Sequence, residues 1–303
     1  MKNMKKIKVA IVGYGNIGKY ALQALEVAGD MELVGIVSQH ITEKNKPLEL
    51  SNVKIVKNID KLGKVDVALL CGSTRSIEKT ASEILAKGIN TVDSFDIHQD
   101  IYKLRKNLGK IATKNKCVSI ISAGWDPGSD SVVRALLAAI APKGITYTNF
   151  GPGRSMGHSV VAKSKTGVKD ALSMTMPLGD GIHRRLVYLE MEKGASFDKA
   201  CKEIKADDYF KYDETRFFQV DNIDDVNDVG HGVHMVRKGV SGQTHNQMFS
   251  FDMKINNPAL TSQIMVAYAR ATTRIASGCY TTIEVPVIKM LEGDEEELIK
   301  KLV

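Results

Sequence analysis

The sequence predicts an α/β protein with a doubly wound parallel sheet and a second α+β domain built on an open, mainly antiparallel sheet. Two observations support this fold class. The first 125 residues alternate short β-branched runs with helical stretches, which is typical of a parallel sheet with helices on both faces. After Trp125, apolar and polar side chains alternate with a period of two, which indicates antiparallel strands with one face in water.

Six strands and three helices are predicted for the first part of the chain. The strands are Ile7 to Val12, Glu32 to Val37, Val53 to Val56, Val65 to Leu70, Ile89 to Val92 and Cys117 to Ile121. The helices are Ile17 to Val27, Ser76 to Lys87 and Ile97 to Lys116. This order of elements predicts parallel strands joined by helical crossovers.

The second part begins with a predicted helix, Ser129 to Ala141, and a glycine-rich stretch, GPGRSMGHS. Alternating strand patterns follow in HRRLVYLEM, TRFFQV, HGVHMVRKGV and HNQMFSFDMKI. A further helix is predicted from Pro258 to Ser277, with proline at its start and Gly278 at its end. The acidic run EGDEEELIKK indicates one more helix start near the C-terminus.

Composition excludes several classes of protein. The chain has 303 residues, of which 43% are hydrophobic, enough to bury a core. Its apolar runs are far shorter than the roughly 20 residues of a membrane span, and no cleavage site follows the N-terminal lysines. Four widely spaced cysteines predict neither disulfides nor zinc. We therefore expect a cytoplasmic protein that has no membrane partner.

The net charge of +7 could suggest nucleic acid, but the lysines are scattered and only 6% of the residues are aromatic. We expect no nucleic-acid partner, because a mildly basic enzyme with anionic ligands explains the same charge.

Gly13, Gly15 and Gly18 form a GxGxxG motif between a predicted strand and a predicted helix. The first glycine permits a tight turn, the second lets the backbone approach a pyrophosphate, and the third allows close packing of helix on strand. The motif alone is weak evidence, but here the βαβ context is complete. It predicts a Rossmann-type dinucleotide-binding domain.

The end of the second predicted strand, LVGIVSQH, bears on the choice of cofactor. An Asp or Glu is expected there when the adenosine ribose carries a free 2′-hydroxyl, but the chain has Ser38, Gln39 and His40. These side chains could donate hydrogen bonds to a 2′-phosphate, and Lys44 and Lys46 are near in sequence. NADP is therefore favoured over NAD, although Gln39 and His40 could also be ordinary loop residues.

Polar residues that follow later strands indicate a ligand site. VDSFDIH places Asp93 and Asp96 after one strand, and ISAGWDPGSDS places Trp125 and Asp126 after another. Ligands of open parallel sheets bind at the carboxyl ends of the strands, and carboxylates there suit a cationic substrate. The alternative is that Asp126 only forms a turn and Asp96 only caps a helix.

A resemblance to a known family joins these features. The runs VAIVGYGNIG, VGIVS, VDSFDIH, SAGWDPGSDS, FGPGRSMGHS, HGVH and NNPALTSQIMVAYARA resemble, in this order, the meso-diaminopimelate dehydrogenase family over essentially the whole chain. The resemblance implies NADP-dependent, reversible oxidative deamination at the D-centre of meso-2,6-diaminopimelate, which gives L-2-amino-6-oxopimelate and ammonia. It also implies a homodimer that acts in bacterial lysine and cell-wall metabolism.

The same resemblance implies a set of site residues. For the substrate these are Asp96, Trp125, Asp126, Phe150, Met156, Gly157, Thr175, Arg185, His231 and Asn257, with Asp126 or Asp96 as the catalytic proton acceptor. The expected cofactor contacts are Gly13, Tyr14, Gly15, Asn16, Ile17, Gly18, Ser38, Gln39, His40, Cys71, Gly72, Ser73, Thr74, Ser94, Asp96, Ala123 and Gly124.

These assignments predict three parts of the chain. A dinucleotide-binding domain is expected at 1–124 plus 282–303, and a substrate domain at 151–256. Segments 125–150 plus 257–281 are expected to connect the domains and form the dimer.

Two departures from the family pattern affect these expectations. Many members carry two arginines where this chain has Gln39 and His40, which weakens the expectation of strict NADP use. The connection between Thr175 and Arg185 is short, as in a branch of the family that lacks an inserted segment and in which activity on other D-amino acids is more plausible.

The alternatives are a related reductase or dehydrogenase that acts on another D-amino acid or amino diacid, and a nonenzymatic NADP-binding sensor. Dihydrodipicolinate reductase is disfavoured because its two-histidine and lysine motif is absent. No metal is expected from Asp221, Asp224, Asp225, Asp228, His231 and His234. The two histidines lie three residues apart and would face opposite sides of a strand.

Overall fold

The structure is a computed structural model that describes residues 6–42, 44–226 and 230–303. It divides into two compact units. The first extends to Ala135 and resumes from Pro258 to Val303, and the second comprises Leu136–Asn257. The segments 125–150 and 257–281, predicted as one connecting part, are therefore divided between the two units.

The strands are, in chain order, β1 (Ile7–Val12), β2 (Met31–Val37), β3 (Ile55–Val56), β4 (Val67–Leu70), β5 (Asn90–Asp93), β6 (Val118–Ile121), β7 (Lys143–Phe150), β8 (Gly153–Arg154), β9 (Val168–Gly179), β10 (Ile182–Met191), β11 (Glu214–Val220), β12 (Gly230–Ser241), β13 (Thr244–Asn256) and β14 (Gly278–Thr281). The α-helices are α1 (Asn16–Val27), α2 (Ile77–Leu85), α3 (Ile101–Lys114), α4 (Ser129–Ile140), α5 (Met156–Lys163), α6 (Phe197–Lys205), α7 (Asn257–Thr272) and α8 (Glu295–Leu302).

The first unit contains a seven-stranded sheet in the order β14-β6-β5-β4-β1-β2-β3. Every neighbouring pair in it is parallel, so all its strands end at the same edge. The strand order reverses between β1 and β4, where a crevice for a ligand forms in doubly wound sheets. This confirms the predicted parallel sheet.

The core of this unit has one layer on each face of the sheet. Val9 and Ile11 of β1 belong to a buried cluster that includes residues of α1 and α7. Ala10, between them in sequence, belongs to a second cluster with residues of α2 and α3. The alternation follows from the two-residue period of a strand.

A buried ion pair attaches α7 to the loop before β2. The Nη2 atom of Arg270 donates to Oδ1 of Asp30 at 2.7 Å, and Nη1 donates to the carbonyl of Met290 at 2.7 Å. Burial raises the pKa of Asp30, but hydrogen bonds and charge from Arg270 outweigh it and lower the pKa below its usual value. Removal of either partner would therefore destabilise this unit, because the other charge would lose its counter-charge.

The second unit contains two sheets. One is four-stranded in the order β11-β10-β9-β8, and the other is three-stranded in the order β13-β12-β7. The pairs β8–β9, β9–β10, β12–β13 and β12–β7 are antiparallel, whereas β10 and β11 are parallel. Residues of β9, β10, α5 and α6 form the core of this unit.

The structure differs from the sequence prediction in the orientation of one strand, in the end of one helix and in several elements that were not predicted. TRFFQV, predicted as antiparallel, forms β11 parallel to β10 because α6 supplies the crossover between them. Strands β7, β8 and β9 and helices α5 and α6 were not predicted as such. Gly278 does not end α7, which stops at Thr272, but begins β14, an edge strand that the pattern did not reveal.

Candidate active site

The glycine loop has the conformation that its motif requires. Gly13 adopts a φ of +94°, and a Cβ on Gly18 would lie 2.4 Å from the Gly13 carbonyl oxygen. Gly15 is the N-cap of α1, and nothing lies within 4 Å of where its Cβ would be. The backbone is therefore open to a pyrophosphate at the positive end of a 12-residue helix. Tyr14, Asn16 and Ile17, the other predicted contacts of this loop, lie in the same turn.

The turn after β2 is held by its own hydrogen bonds. Ser38 is buried, and its Oγ accepts from the backbone N–H groups of His40 at 3.3 Å and Ile41 at 3.2 Å. The side-chain amide of Gln39 donates to the Lys57 carbonyl at 2.8 Å. No carboxylate occupies the position after β2, so no negative charge at this position would repel a ribose 2′-phosphate.

The other predicted cofactor contacts follow β4, β5 and β6 at the same edge of the sheet: Cys71, Gly72, Ser73, Thr74, Ser94, Asp96, Ala123 and Gly124. The Thr74 hydroxyl donates to Oδ1 of Asp96 at 2.7 Å, which ties together the turns after β4 and β5. Burial raises the pKa of the Cys71 thiol to about 12, so this thiol stays protonated and is not a nucleophile.

Asp93, which the sequence analysis placed with Asp96 at the expected ligand site, supports these turns through its buried side chain. It is fully buried, and its Oδ1 accepts from the backbone N–H groups of Phe95 at 2.9 Å and Ser122 at 3.1 Å. Burial raises its pKa to about 6, against the effect of these two hydrogen bonds. Asp93 thus joins the turn that carries Ser94 to the turn that carries Ala123.

Asp126 lies in a carboxylate pair at the start of α4. Its peptide bond to Pro127 is cis, and its side chain hydrogen bonds to that of Asp130. Burial raises the pKa of Asp126, while Arg134 and the hydrogen bond with Asp130 lower it. Asp130 is fully buried, and Nη2 of Arg134 donates to its Oδ2 at 2.8 Å. Trp125, just before this pair, is also buried.

The two carboxyl groups oppose each other's ionisation. Burial and the charge of Asp126 together raise the pKa of Asp130 to about 7, against the charge of Arg134. Because the two groups are coupled, this value belongs to the pair. Asp130 lies within the predicted site motif, GWDPGSDS, but was given no separate role there. The signal that could have found it is its place four residues after Asp126 in the same motif.

In the second unit, Arg185 is the centre of a polar group. Its Nε donates to Oδ2 of Asp213 at 2.6 Å, and its Nη1 donates to the Thr175 hydroxyl. Arg185 and Thr175 are directly paired residues of β10 and β9. The structure therefore brings together Arg185 and Thr175, which were predicted for one site. Asp213, which was not predicted, is a third member of this polar group.

Phe150 and the start of α5 border this group. A Cβ on Gly151, next to Phe150, would lie 2.2 Å from the carbonyl oxygen of Thr175. The Phe150 N–H donates to Nε2 of His183 at 2.7 Å. Met156 and Gly157 form the first turn of α5, where backbone N–H groups lack partners within a helix. His158 follows them and hydrogen bonds through Nδ1 to Ser155 at 2.8 Å.

His231 and Asn257 also lie in the second unit. His231 is buried in β12, and its Nδ1 lies 2.8 Å from the backbone N of Gly232. A Cβ on Gly153 would lie 2.5 Å from the Cα of His231, which brings β8 close to β12. Asn257 is the first residue of α7. Asp96, Trp125 and Asp126 belong instead to the first unit.

Among the residues that the structure describes, no group of three His, Cys, Asp or Glu side chains is placed to hold a metal ion. His231 is buried and His234 is exposed on β12, as expected from their spacing. Asp228 lies outside the described residues. In the same described part of the chain, no helix is long and apolar enough to span a membrane.

The fold and the glycine loop define a class: an oxidoreductase with a nucleotide-binding Rossmann domain. A family model described as "Oxidoreductase family, NAD-binding Rossmann fold" matches residues 7–93, and one described as "Diaminopimelic acid dehydrogenase C-terminal domain" matches residues 124–184.

Full-length relatives define the family. A meso-diaminopimelate D-dehydrogenase of Bacteroides fragilis is 60% identical over 300 residues, which cover 99% of this chain and 100% of the relative. One of Lysinibacillus sphaericus is 33% identical, with coverage of 99% and 100%. The chain belongs to the meso-diaminopimelate D-dehydrogenase family.

Two solved structures share the whole architecture. A DAP dehydrogenase of C. glutamicum in complex with DAP has a TM-score of 0.89 at 30% identity, and covers 99% of this chain and 100% of the other. An engineered D-amino acid dehydrogenase bound to NADP+ has a TM-score of 0.87 at 28% identity, with coverage of 99% and 100%.

Proposed function

We propose that this protein catalyses the reversible oxidative deamination of the D-centre of meso-2,6-diaminopimelate. Water and NADP+ are consumed, and L-2-amino-6-oxopimelate, ammonia and NADPH are formed. The observation that carries the proposal is the 60% identity over 99% of the chain to a meso-diaminopimelate D-dehydrogenase. The matching DAP complex of the C. glutamicum enzyme supports the same substrate.

Arg185 and Thr175 are the proposed ligands of the distal L-carboxylate. Arginine binds a carboxylate with a charged, planar donor group, and the Arg185 guanidinium is already hydrogen bonded to Thr175. His231 and Asn257 add hydrogen-bond donors. The backbone N–H groups of Met156 and Gly157, in the first turn of α5, receive the D-carboxylate.

Asp96 and Asp126 are proposed to bind the ammonium groups, and one of them accepts the proton that the reacting ammonium must lose. The pairing of Asp126 with Asp130 favours Asp126, because the pair holds an exchangeable proton near neutral pH. Trp125 and Phe150 are the apolar residues assigned to the same site. Binding both ends of the diacid presents only the D-centre for reaction.

The open turn at Gly15 fits a dinucleotide. A nicotinamide bound there would supply the acceptor for a hydride from the substrate carbon. The protein deprotonates the amine so that its lone pair assists hydride departure, and water then attacks the resulting imine to release ammonia.

NADP is the proposed cofactor, and NAD is the less favoured alternative. Ser38 takes the place of the carboxylate that would repel a 2′-phosphate, and His40 and Lys44 are near in sequence. The likeness to a structure bound to NADP+ supports this choice. We also propose that the protein is a cytoplasmic homodimer, because the family resemblance implies a homodimer.

A second candidate is activity on other D-amino acids. The hairpin that joins β9 to β10 has only two residues, Asp180 and Gly181, between its strands, so no inserted segment follows Thr175. The likeness to an engineered D-amino acid dehydrogenase agrees with this candidate.

One assay tests these assignments together. Reduction of NADP+ and NAD+ is followed in parallel with meso-, L,L- and D,D-diaminopimelate. We expect reduction with the meso isomer and NADP+, and none with the L,L isomer, which has no D-centre. Absence of reduction with the meso isomer contradicts the activity, and reduction with NAD+ alone contradicts the cofactor.

A further inference from the structure

Asp213 fixes one edge of the Arg185 guanidinium. Oδ2 of Asp213 accepts from Nε of Arg185 at 2.6 Å, and Arg185 Nη1 donates to Thr175 on the other side. The side chain of Arg185 is 15% exposed and that of Asp213 is 28% exposed, so the pair is largely shielded from water. Shielding of this kind makes a charged hydrogen bond directional and strong.

Asp213 is itself held firmly through its backbone. Its N–H donates to the Phe210 carbonyl at 3.1 Å, and its own carbonyl accepts from Nζ of Lys205 and from the Thr215 hydroxyl at 3.2 Å. These bonds close the turn between α6 and β11. The carboxylate therefore stands at a defined place beside β10, independent of any ligand.

The two histidines nearest this pair are uncharged at neutral pH. Burial and the charge of Arg185 lower the pKa of His158 to about 3, against Asp213, whose Oδ2 lies 3.7 Å from His158 Nε2. Burial and Arg185 likewise lower the pKa of His183, against Asp213. Neither ring competes as a cation for Asp213, so Arg185 is the cation that this carboxylate holds.

The geometry leaves one end of the guanidinium for a ligand. Nε is bound to Asp213 and Nη1 to Thr175, while Nη2 makes no hydrogen bond with any residue in the described part of the chain. A carboxylate approaching Arg185 therefore meets the Nη end and not the Nε edge.

We propose that Asp213 is a positioning residue that sets specificity for a second carboxylate, by holding Arg185 with its Nη end toward the distal carboxylate of the substrate. This rests on the proposed assignment of Arg185 to that carboxylate. Asp213 also has an opposite, electrostatic effect, because its negative charge weakens the attraction of Arg185 for an anion. Removal of that charge would raise the KM if Asp213 mainly positions Arg185, and would lower the KM if the electrostatic effect dominates. The direction of the change therefore separates the two effects.

The test is steady-state kinetics of Asp213→Asn in the full-length protein with meso-diaminopimelate and NADP+. Asparagine keeps the size and an acceptor but loses the charge. We expect the KM for meso-diaminopimelate to rise about tenfold, equivalent to about 1.4 kcal/mol, with kcat and the KM for NADP+ within about twofold. Asp213→Glu should recover part of the loss, because it restores the charge.

The neighbouring residue provides a matched control. Glu214 pairs with Arg184, the residue before Arg185, across the same two strands, but Glu214 is 49% exposed. Glu214→Gln should leave the KM for meso-diaminopimelate within about twofold. Thermal melting of each variant shows whether it is folded.

Arg185→Met separates this inference from the site assignment. We expect it to raise the KM more than Asp213→Asn does, and the double variant to show no further rise, because Asp213 acts through Arg185. An unchanged KM in Arg185→Met overturns the assignment of Arg185. If Arg185→Met raises the KM, the assignment of Arg185 stands. The role of Asp213 alone is then overturned if Asp213→Asn leaves the KM unchanged or lowers it, or if the effects add in the double variant.

Discussion

The carboxylate pair of Asp126 and Asp130 makes the stability of the first unit depend on pH. The proposed perturbation is Asp130→Asn, which removes one titrating group but keeps a side chain that can donate a hydrogen bond to Asp126. In the folded protein, burial raises the pKa of Asp130 to about 7. In the unfolded chain it should titrate near its ordinary value of 3.8.

The sign of the effect follows from proton uptake. Between about pH 4 and pH 7 the folded protein binds a proton that the unfolded chain has released, so stability falls as the pH rises through this range. A shift of about 3 units corresponds to at most about 4 kcal/mol at 1.36 kcal/mol per unit. The pKa of about 7 already includes the attraction of Arg134. From pH 5 to pH 7 about 2 of these 3 units are covered, so we expect a loss of about 2–3 kcal/mol.

The assay is urea denaturation of the wild type and Asp130→Asn at several pH values from 5 to 8. Fluorescence of Trp125, the single tryptophan of the chain, reports on this unit because it adjoins Asp126. The wild type should lose stability as pH rises, and the variant should lose less, so that their difference increasingly favours the variant. Asp60→Asn, which removes an exposed carboxylate paired with Lys87, should run parallel to the wild type. Parallel curves for Asp130→Asn and the wild type would refute the raised pKa of Asp130.

Three further predictions concern the cofactor loop, the ribose turn and the core. Gly18→Ala should weaken NADP+ binding at least tenfold by isothermal titration calorimetry, because its Cβ would lie 2.4 Å from a carbonyl oxygen of the loop; an unchanged Kd contradicts this. Arginine at both Gln39 and His40 should lower the KM for NADP+ but not for NAD+, and an equal change for both cofactors counts against a 2′-phosphate site here. Arg270→Met should lower the free energy of unfolding by about 3–5 kcal/mol, measured with urea, because its largely shielded aspartate partner loses two hydrogen bonds and its main counter-charge; a loss below about 1 kcal/mol would be inconsistent with the pair.

Local patterns were sufficient to predict the parallel sheet and the glycine loop. The β-branched runs of β1 and β6 and the GxGxxG motif depend on neighbours in sequence, and the structure places them within one or two residues of the predicted bounds. Strand β14 and the parallel pairing of β11 depend on distant partners instead. Their sequences carry no signal of which strand they join, because pairing is decided by the crossovers that lead to them.

The candidate site was predictable to a similar degree. Motif residues such as Arg185 and Thr175 were identified, and the structure pairs them directly. Asp213 was not identified, because its partner Arg185 is 28 residues away in sequence. Asp93 was placed at the site, but its bond to the Ser122 N–H, 29 residues away, carries no local signal. Asp130 was overlooked because an aspartate in the first turn of a helix is already explained by the helix dipole.

The most direct measurement of the proposed reaction follows the hydrogen that is transferred. meso-Diaminopimelate deuterated at the α-carbon of its D-centre is incubated with the enzyme and NADP+, and the NADPH formed is examined by mass spectrometry. We predict that the deuterium appears in NADPH, and that deuterium placed at the L-centre remains in the oxo acid product. Deuterium transferred from the L-centre, or NADPH formed without deuterium from the D-centre, would contradict the proposed reaction.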